Sequence, residues 1–164
     1  MIDKESSDRF HAALVYATAK HEGQTRIGGD PYITHPMAVA RLLQKKGYDT
    51  DYQIAGLFHD LLEDTDATED DILRLGGNRV LHAVQLLTKR KGYIMAEYMA
   101  GIRSDPMACA VKAADRLHNL RCAEVCSAAF RKKYIRETNE WYLDLDPEIP
   151  EAVHMLEANL SDTE

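Results

Sequence analysis

Residues 56–65 read Gly-Leu-Phe-His-Asp-Leu-Leu-Glu-Asp-Thr. Leu57, Phe58, Leu61 and Leu62 fall at one-turn intervals, the spacing of an apolar helical stripe. Between them stand four titratable side chains, His59, Asp60, Glu63 and Asp64. Acidic side chains are seldom fully buried unless paired. The stretch therefore predicts a core helix, beginning near Asp51, whose polar groups need a partner.

Helical spacing continues on both sides. Residues 6–22 carry Phe10, Ala13, Leu14, Ala17 and Thr18 on one stripe, with Gly23 as a C-terminal stop. After the loop QTRIGGDPYIT, Thr34 is a candidate cap, and Pro36 suits the first turn of a helix running to Gly47. Thr68 followed by Glu69, Asp70 and Asp71 reads as another capped start. Further helices are expected over 77–88, about 93–103, about 105–124 and about 128–144. Pro147 and Pro150 are read as breaks before a short terminal helix. No alternating strand, internal repeat or linker interrupts the pattern. The expected fold is all-α, seven to nine helices in a single domain spanning residues 1–164.

Composition narrows the function. The 164 residues can bury a substantial core. A net charge of −7 disfavours nucleic acid as partner but leaves room for a locally positive site for a small anion. There is no apolar run of membrane-spanning length and no apolar leader, so no membrane is expected and a cytoplasmic location is the default. The three cysteines, Cys109, Cys122 and Cys126, are read as free thiols among alanines, although the last two stand one turn apart.

Three separated segments place polar residues where the helical pattern expects apolar ones. They supply His35, the pair His59-Asp60, and Asp115. Two imidazoles and two carboxylates suit one divalent ion such as Mn²⁺, Fe²⁺ or Zn²⁺. Adjacent His59 and Asp60 would point about 100° apart on a helix, so they share an ion only where several helices converge. Glu63 and Asp64 follow one turn later, well placed to serve a water. The remaining histidines His11, His21, His82 and His154 are read as surface or satisfied core residues.

In that setting the chain resembles the HD-superfamily hydrolase domain of the RelA/SpoT alarmone enzymes, particularly the free-standing small alarmone hydrolases, over roughly residues 8 to 142. RIGGDPYITHPMAVARLL (26–43), AGLFHDLLEDT (55–65) and VKAADRLHNLR (111–121) match its three motifs, and LLTKRKGY (86–93) fits the spacing between the last two. The resemblance implies Mn²⁺-dependent hydrolysis of the 3′-pyrophosphate of guanosine tetra- and pentaphosphate (ppGpp and pppGpp), giving GDP or GTP and pyrophosphate. Carried over by position, His35, His59, Asp60 and Asp115 would bind the metal, and Glu63 and Asp64 would serve the attacking water. Arg26 would pack on the base, Asn119 would contact the nucleotide, and Tyr134 would line the pocket; Thr65 and Arg116 would hold the motifs in place. The sequence ends soon after the last matched helix, so alarmone synthesis is not expected.

The chain departs from the family at Ile27, where a lysine commonly follows the arginine. Lys89, Arg90 and Lys91, or Arg131 to Lys133, are the candidates to supply positive charge from other loops. Two alternatives share the scaffold. One is a phosphohydrolase acting on the 2′-phosphate of NADPH or on an adenosine alarmone analogue; the other is a non-catalytic alarmone-binding module.

Overall fold

The computed structural model describes residues 3–163 and is helical nearly throughout. The segments are α1 (Lys4–Lys20), α2 (Thr34–Lys45), α3 (Thr50–Phe58), α4 (Leu61–Asp64), α5 (Glu69–Gly76), α6 (Asn78–Leu87), α7 (Met95–Arg103), α8 (Pro106–Cys122), α9 (Ala128–Trp141) and α10 (Glu148–Thr163). Counting the four-residue α4 as the continuation of α3 beyond a corner leaves nine helices among the described residues, as the all-α expectation requires. Extended pairing among these residues is confined to one isolated bridge, Thr25 with Pro31. Among the described residues no helix is long and apolar enough to cross a membrane.

Short polar side chains start the helices by accepting from otherwise unpaired backbone N–H groups. Asp49 accepts from Tyr52, Thr68 from Asp71, Asp105 from Ala108, and Ser127 from Phe130. Pro106 occupies the first turn of α8, where its missing N–H costs nothing.

Three expectations are corrected. Thr34 does not cap α2: it is the first helical residue, and its hydroxyl donates back to the Pro31 carbonyl. The last helix is not short. Pro150 lies inside the first turn of the 16-residue α10, the one helical position proline tolerates. The helix carrying residues 56–65 is not continuous either, because α3 stops at Phe58 and the chain turns at His59 and Asp60 before α4.

Helix α3 is the centre of the molecule, packed by α1, α2, α5, α6 and α8. Ile54, Ala55, Leu57 and Phe58 are fully enclosed, and the rings of Tyr16 and Phe58 meet edge to face with centroids 6.0 Å apart. Burying a Leu, Ile or Phe side chain stabilises by roughly 1.5–3 kcal/mol. Gly56 lets α2 approach closely; a Cβ there would lie 3.0 Å from Leu43 Cδ1 and 3.3 Å from the Ala40 nitrogen. A second apolar cluster packs α10 on α8 through Leu117, Leu120, Ile149, Val153 and Leu156. The buried Arg116 guanidinium lies between the rings of Tyr134 and Tyr142, 4.0 Å from each, and donates to Glu137 at 2.8 Å. That contact ties α8 to α9.

Candidate active site

The corner between α3 and α4 explains how adjacent residues can serve one point. His59 and Asp60 sit where the helix is interrupted, so both side chains reach the place where α2, α3 and α8 converge. His35 comes from the first turn of α2 and Asp115 from the middle of α8. His35, His59 and Asp115 offer ligand atoms all within 4.8 Å of one another, and the three are 1%, 4% and 7% exposed. His35 Nε2 is 2.8 Å from Asp115 Oδ1, and His59 Nε2 is 3.3 Å from that same oxygen. Asp60 Oδ2 stands 3.1 Å from His59 Nε2. Asp60 lies outside the three-residue group and accepts a short hydrogen bond from the Tyr32 hydroxyl.

His59 shows what the cluster lacks. Its Nδ1 donates to the Gly56 carbonyl at 2.7 Å, which leaves Nε2 as a lone pair in the neutral ring. That buried atom has no hydrogen-bond partner, though two carboxylate oxygens lie within 3.3 Å. A lone pair facing carboxylate oxygens is repulsive, and a cation between them makes every contact attractive. Without one, a proton plays that part. Burial opposes the imidazolium, yet Asp60 and Asp115 outweigh it and hold the His59 pKa well above its usual value. The donor set thus fits a divalent cation, hard enough for carboxylate and soft enough for imidazole.

The carboxylates respond in kind. Burial alone would raise Asp115, but Lys112, His35 and His59 hold it well below the usual carboxylate range. Lys112 Nζ donates to Asp115 Oδ2 at 3.2 Å. Burial also works against Asp60, and the charge and hydrogen bond of His59 bring it down to about 2. Asp64 moves the other way, raised by burial and by its neighbours Asp60 and Glu63. Glu63 and Asp64 are exposed at the rim, where Glu63 Oε1 accepts from the Lys89 backbone N–H at 2.6 Å.

Beside the cluster opens a cleft of about 540 Å³, lined among others by Arg26, Ile27, Tyr32, Asn119, Cys122 and Tyr134. Asn119 joins cleft to cluster: it donates to Asp115 Oδ1 at 3.2 Å and accepts from Arg26 Nη2 at 3.0 Å. Tyr134 stacks on Phe130 with ring planes 16° apart. Ile27 lies on the wall of this cleft and is 64% exposed. A second cleft of about 310 Å³ holds Lys89, Lys133 and Arg136, with Glu137 and Glu140. Of the other candidate charges, Arg90 pairs with Glu69, and Arg131 is buried and donates to Asn159.

His35, His59 and Asp115 thus come together, Asp60 lies against His59, Glu63 and Asp64 are exposed, and Arg26, Asn119 and Tyr134 line the cleft. Several neighbours were missed. His118 Nδ1 lies 2.8 Å from His35 Nδ1; burial, His35 and Arg26 push its pKa down to about 4, so it is a neutral ring. Lys112 and His118 stand three residues either side of Asp115, a spacing that places them on its helical face and could have revealed them. His21 is buried with its ring against Tyr32 at 4.8 Å, whereas His11, His82 and His154 are exposed. The three cysteines are free thiols.

Comparison with known proteins places this architecture. Residues 13–146 match the HD domain family. The chain belongs to the HD domain family. It is 34% identical over 153 residues to a GTP pyrophosphokinase of Streptomyces coelicolor, a match covering 88% of this chain and 18% of that protein. It is 35% identical over 155 residues to the guanosine-3′,5′-bis(diphosphate) 3′-pyrophosphohydrolase of Escherichia coli O157:H7, covering 88% of this chain and 22% of the relative. The chain therefore spans about a fifth of the length of these curated relatives. A solved structure described as a metazoan ortholog of SpoT that hydrolyzes ppGpp superposes with a TM-score of 0.76 at 25% identity, covering 94% of this chain and 95% of that one.

Proposed function

We propose that this chain is a metal-dependent phosphohydrolase that removes the 3′-pyrophosphate of guanosine tetra- and pentaphosphate, releasing pyrophosphate with GDP or GTP. The carrying observation is the buried His35–His59–Asp115 cluster, joined through Asn119 to a cleft holding Arg26 and Tyr134. The activities named for the Escherichia coli relative and for the metazoan SpoT ortholog support the same substrate.

In this reading His35, His59, Asp60 and Asp115 hold one divalent ion, assigned as Mn²⁺. When bound, such an ion would supply Lewis-acid chemistry, activating water and offsetting charge on the phosphoryl oxygens. Glu63 and Asp64, one turn past His59 and Asp60, would orient the attacking water in line with the phosphorus attached to the 3′ oxygen and receive its proton. The raised pKa of Asp64 suits it to pass the proton on to the leaving 3′ oxygen. Arg26 lays its guanidinium plane on the base, Asn119 holds the nucleotide against the cluster, and Tyr134 closes the wall. Lys89, Lys133 and Arg136 provide a positive rim beside Glu63 where Ile27 provides none. The partner is a small nucleotide rather than nucleic acid or membrane, the setting is cytoplasmic, and residues 1–164 act as one catalytic unit.

Ile27 favours a second reading, in which the same centre acts on an adenosine alarmone analogue or on the 2′-phosphate of NADPH. Product analysis separates the two. Mn²⁺-loaded protein is incubated with ppGpp, its adenosine analogue and NADPH, and the products are resolved by chromatography. GDP and pyrophosphate, formed fastest from ppGpp, support the proposal; turnover of another substrate alone overturns the guanosine assignment. Incubation with GTP and ATP should yield no alarmone. A binding-only module is disfavoured because both rim carboxylates, Glu63 and Asp64, are present.

A further inference from the structure

We propose that His118 is a positioning residue that fixes the His35 ring for cation binding, and that Cys122 in turn anchors His118. The inference rests on reading His35 as a metal ligand. A histidine that gives Nε2 to a cation must carry its ring proton on Nδ1, and a buried N–H needs an acceptor. Ligating histidines nearly always find one in a carboxylate, a backbone carbonyl or water. His59 follows that rule through the Gly56 carbonyl at 2.7 Å.

His35 does not. Its Nε2 faces the cluster, 2.8 Å from Asp115 Oδ1, and its Nδ1 faces Nδ1 of His118, also at 2.8 Å. Among the described residues the partner that Nδ1 of His35 meets is this ring nitrogen, not a carbonyl or a carboxylate. The acceptor for His35 is therefore the His118 lone pair. That assignment puts the His118 proton on Nε2, which faces Cys122 Sγ at 3.5 Å, one helical turn further along α8. The resulting chain runs from the thiol through two imidazoles, with ring planes 25° apart, to the cation position. One helix supplies Asp115, His118 and Cys122 at intervals of three and four, so α8 both contributes a ligand and orients another.

Replacement at His118 tests this with two side chains of equal size. Asparagine places an amide oxygen near the position of Nδ1 and keeps an acceptor; leucine has none. The full chain is stripped with a chelator, and Mn²⁺ and Zn²⁺ affinities are measured by competition with a chromophoric chelator. Removing such an outer partner weakens metal affinity by about 10–100-fold, and that loss is expected for His118→Leu. His118→Asn should stay within about threefold of wild type on the same hydrogen-bond argument. Wild-type affinity in His118→Leu overturns the proposal. Equal losses in both variants also overturn it, because they mark a packing role. If wild-type protein takes up no ion, the ligand reading of His35 falls as well, whereas normal wild-type binding with an unaffected leucine variant removes His118 alone. Imidazole nitrogen NMR of Zn²⁺-loaded wild-type protein gives a readout independent of variant folding. His35 should be protonated at Nδ1 and His118 at Nε2; a His118 proton on Nδ1 contradicts the assignment.

Discussion

Nε2 of His59 lies 3.3 Å from Oδ1 of Asp115, while the other nitrogen of that ring is already committed to the Gly56 carbonyl at 2.7 Å. Helix α3 thus presents a lone pair to a carboxylate in a nearly water-free place. The pair has a use only with a positive charge between them. Metal binding is therefore expected to stabilise the fold. At a free ion concentration of 100 times Kd, binding adds about 2.7 kcal/mol, and 1 kcal/mol shifts the melting temperature of a chain this size by about 2–4 °C. Chelation should lower the melting temperature by several degrees in calorimetry, and Mn²⁺ should restore it. Equal melting temperatures with and without chelator contradict the ligand cluster.

Glu63 stands at the rim, held by the Lys89 N–H rather than by the ligand cluster. Glu63→Gln should leave metal content unchanged and lower kcat by about 10²–10⁴-fold, the usual contribution of a positioned acid or base. Elemental analysis and initial rates on ppGpp check both halves. Retained turnover removes Glu63 from the proton transfer.

Arg26→Ala should raise KM with a smaller change in kcat, because the guanidinium acts on the base and not on the reacting phosphorus. Asn119 loses its 3.0 Å partner in this variant but keeps Asp115. Steady-state kinetics decide: an unchanged KM for a guanine nucleotide moves the base site away from the cleft.

Gly56→Ala is expected to separate α2 from α3. The added Cβ would meet Leu43 Cδ1 at 3.0 Å and Val39 Cγ1 at 3.3 Å. Overpacking of this kind costs about 1–3 kcal/mol. Helix α2 carries His35, so metal affinity should fall together with the denaturation midpoint. A variant with wild-type stability and affinity shows that the helices can yield without moving the site.

Acid should loosen the α8–α9 contact. Burial works against the Glu137 carboxylate, but Arg116 holds its pKa below the usual value. A depressed carboxylate pKa stabilises the fold above the unfolded value, and this stabilisation is lost as pH falls through the folded one. Glu137→Gln should destabilise at neutral pH by about 1–3 kcal/mol, the worth of a hydrogen bond to a charged group. The difference from wild type should shrink as pH drops below about 4.5. Denaturation midpoints across that range check the sign, and a constant difference contradicts it.

The buried polar cluster could be read from the chain because His35, His59 and Asp115 interrupt apolar periodicity, which only a paired or ligated group survives in a core. The corner at His59-Asp60 could not, since Leu57, Phe58, Leu61 and Leu62 keep helical spacing through it. Terminal helix α10 was underestimated because Pro147 and Pro150 look like breaks, although proline in a first turn is harmless. His118 and Lys112 escaped notice for another reason. A single sequence shows that they share a face with Asp115 but not what α2 brings opposite them. The ring-to-ring contact with His35 spans 83 positions and exists only after folding.

The most direct measurement is a metal titration of turnover. Chelator-stripped protein is mixed with ppGpp, Mn²⁺ is added in steps, and pyrophosphate release is followed. No activity before addition, then pyrophosphate formation saturating at one equivalent of tightly bound ion per chain, is the expected result. Undiminished turnover in excess chelator, or loaded protein that releases no pyrophosphate, contradicts a single metal held by His35, His59, Asp60 and Asp115 as the engine of the reaction.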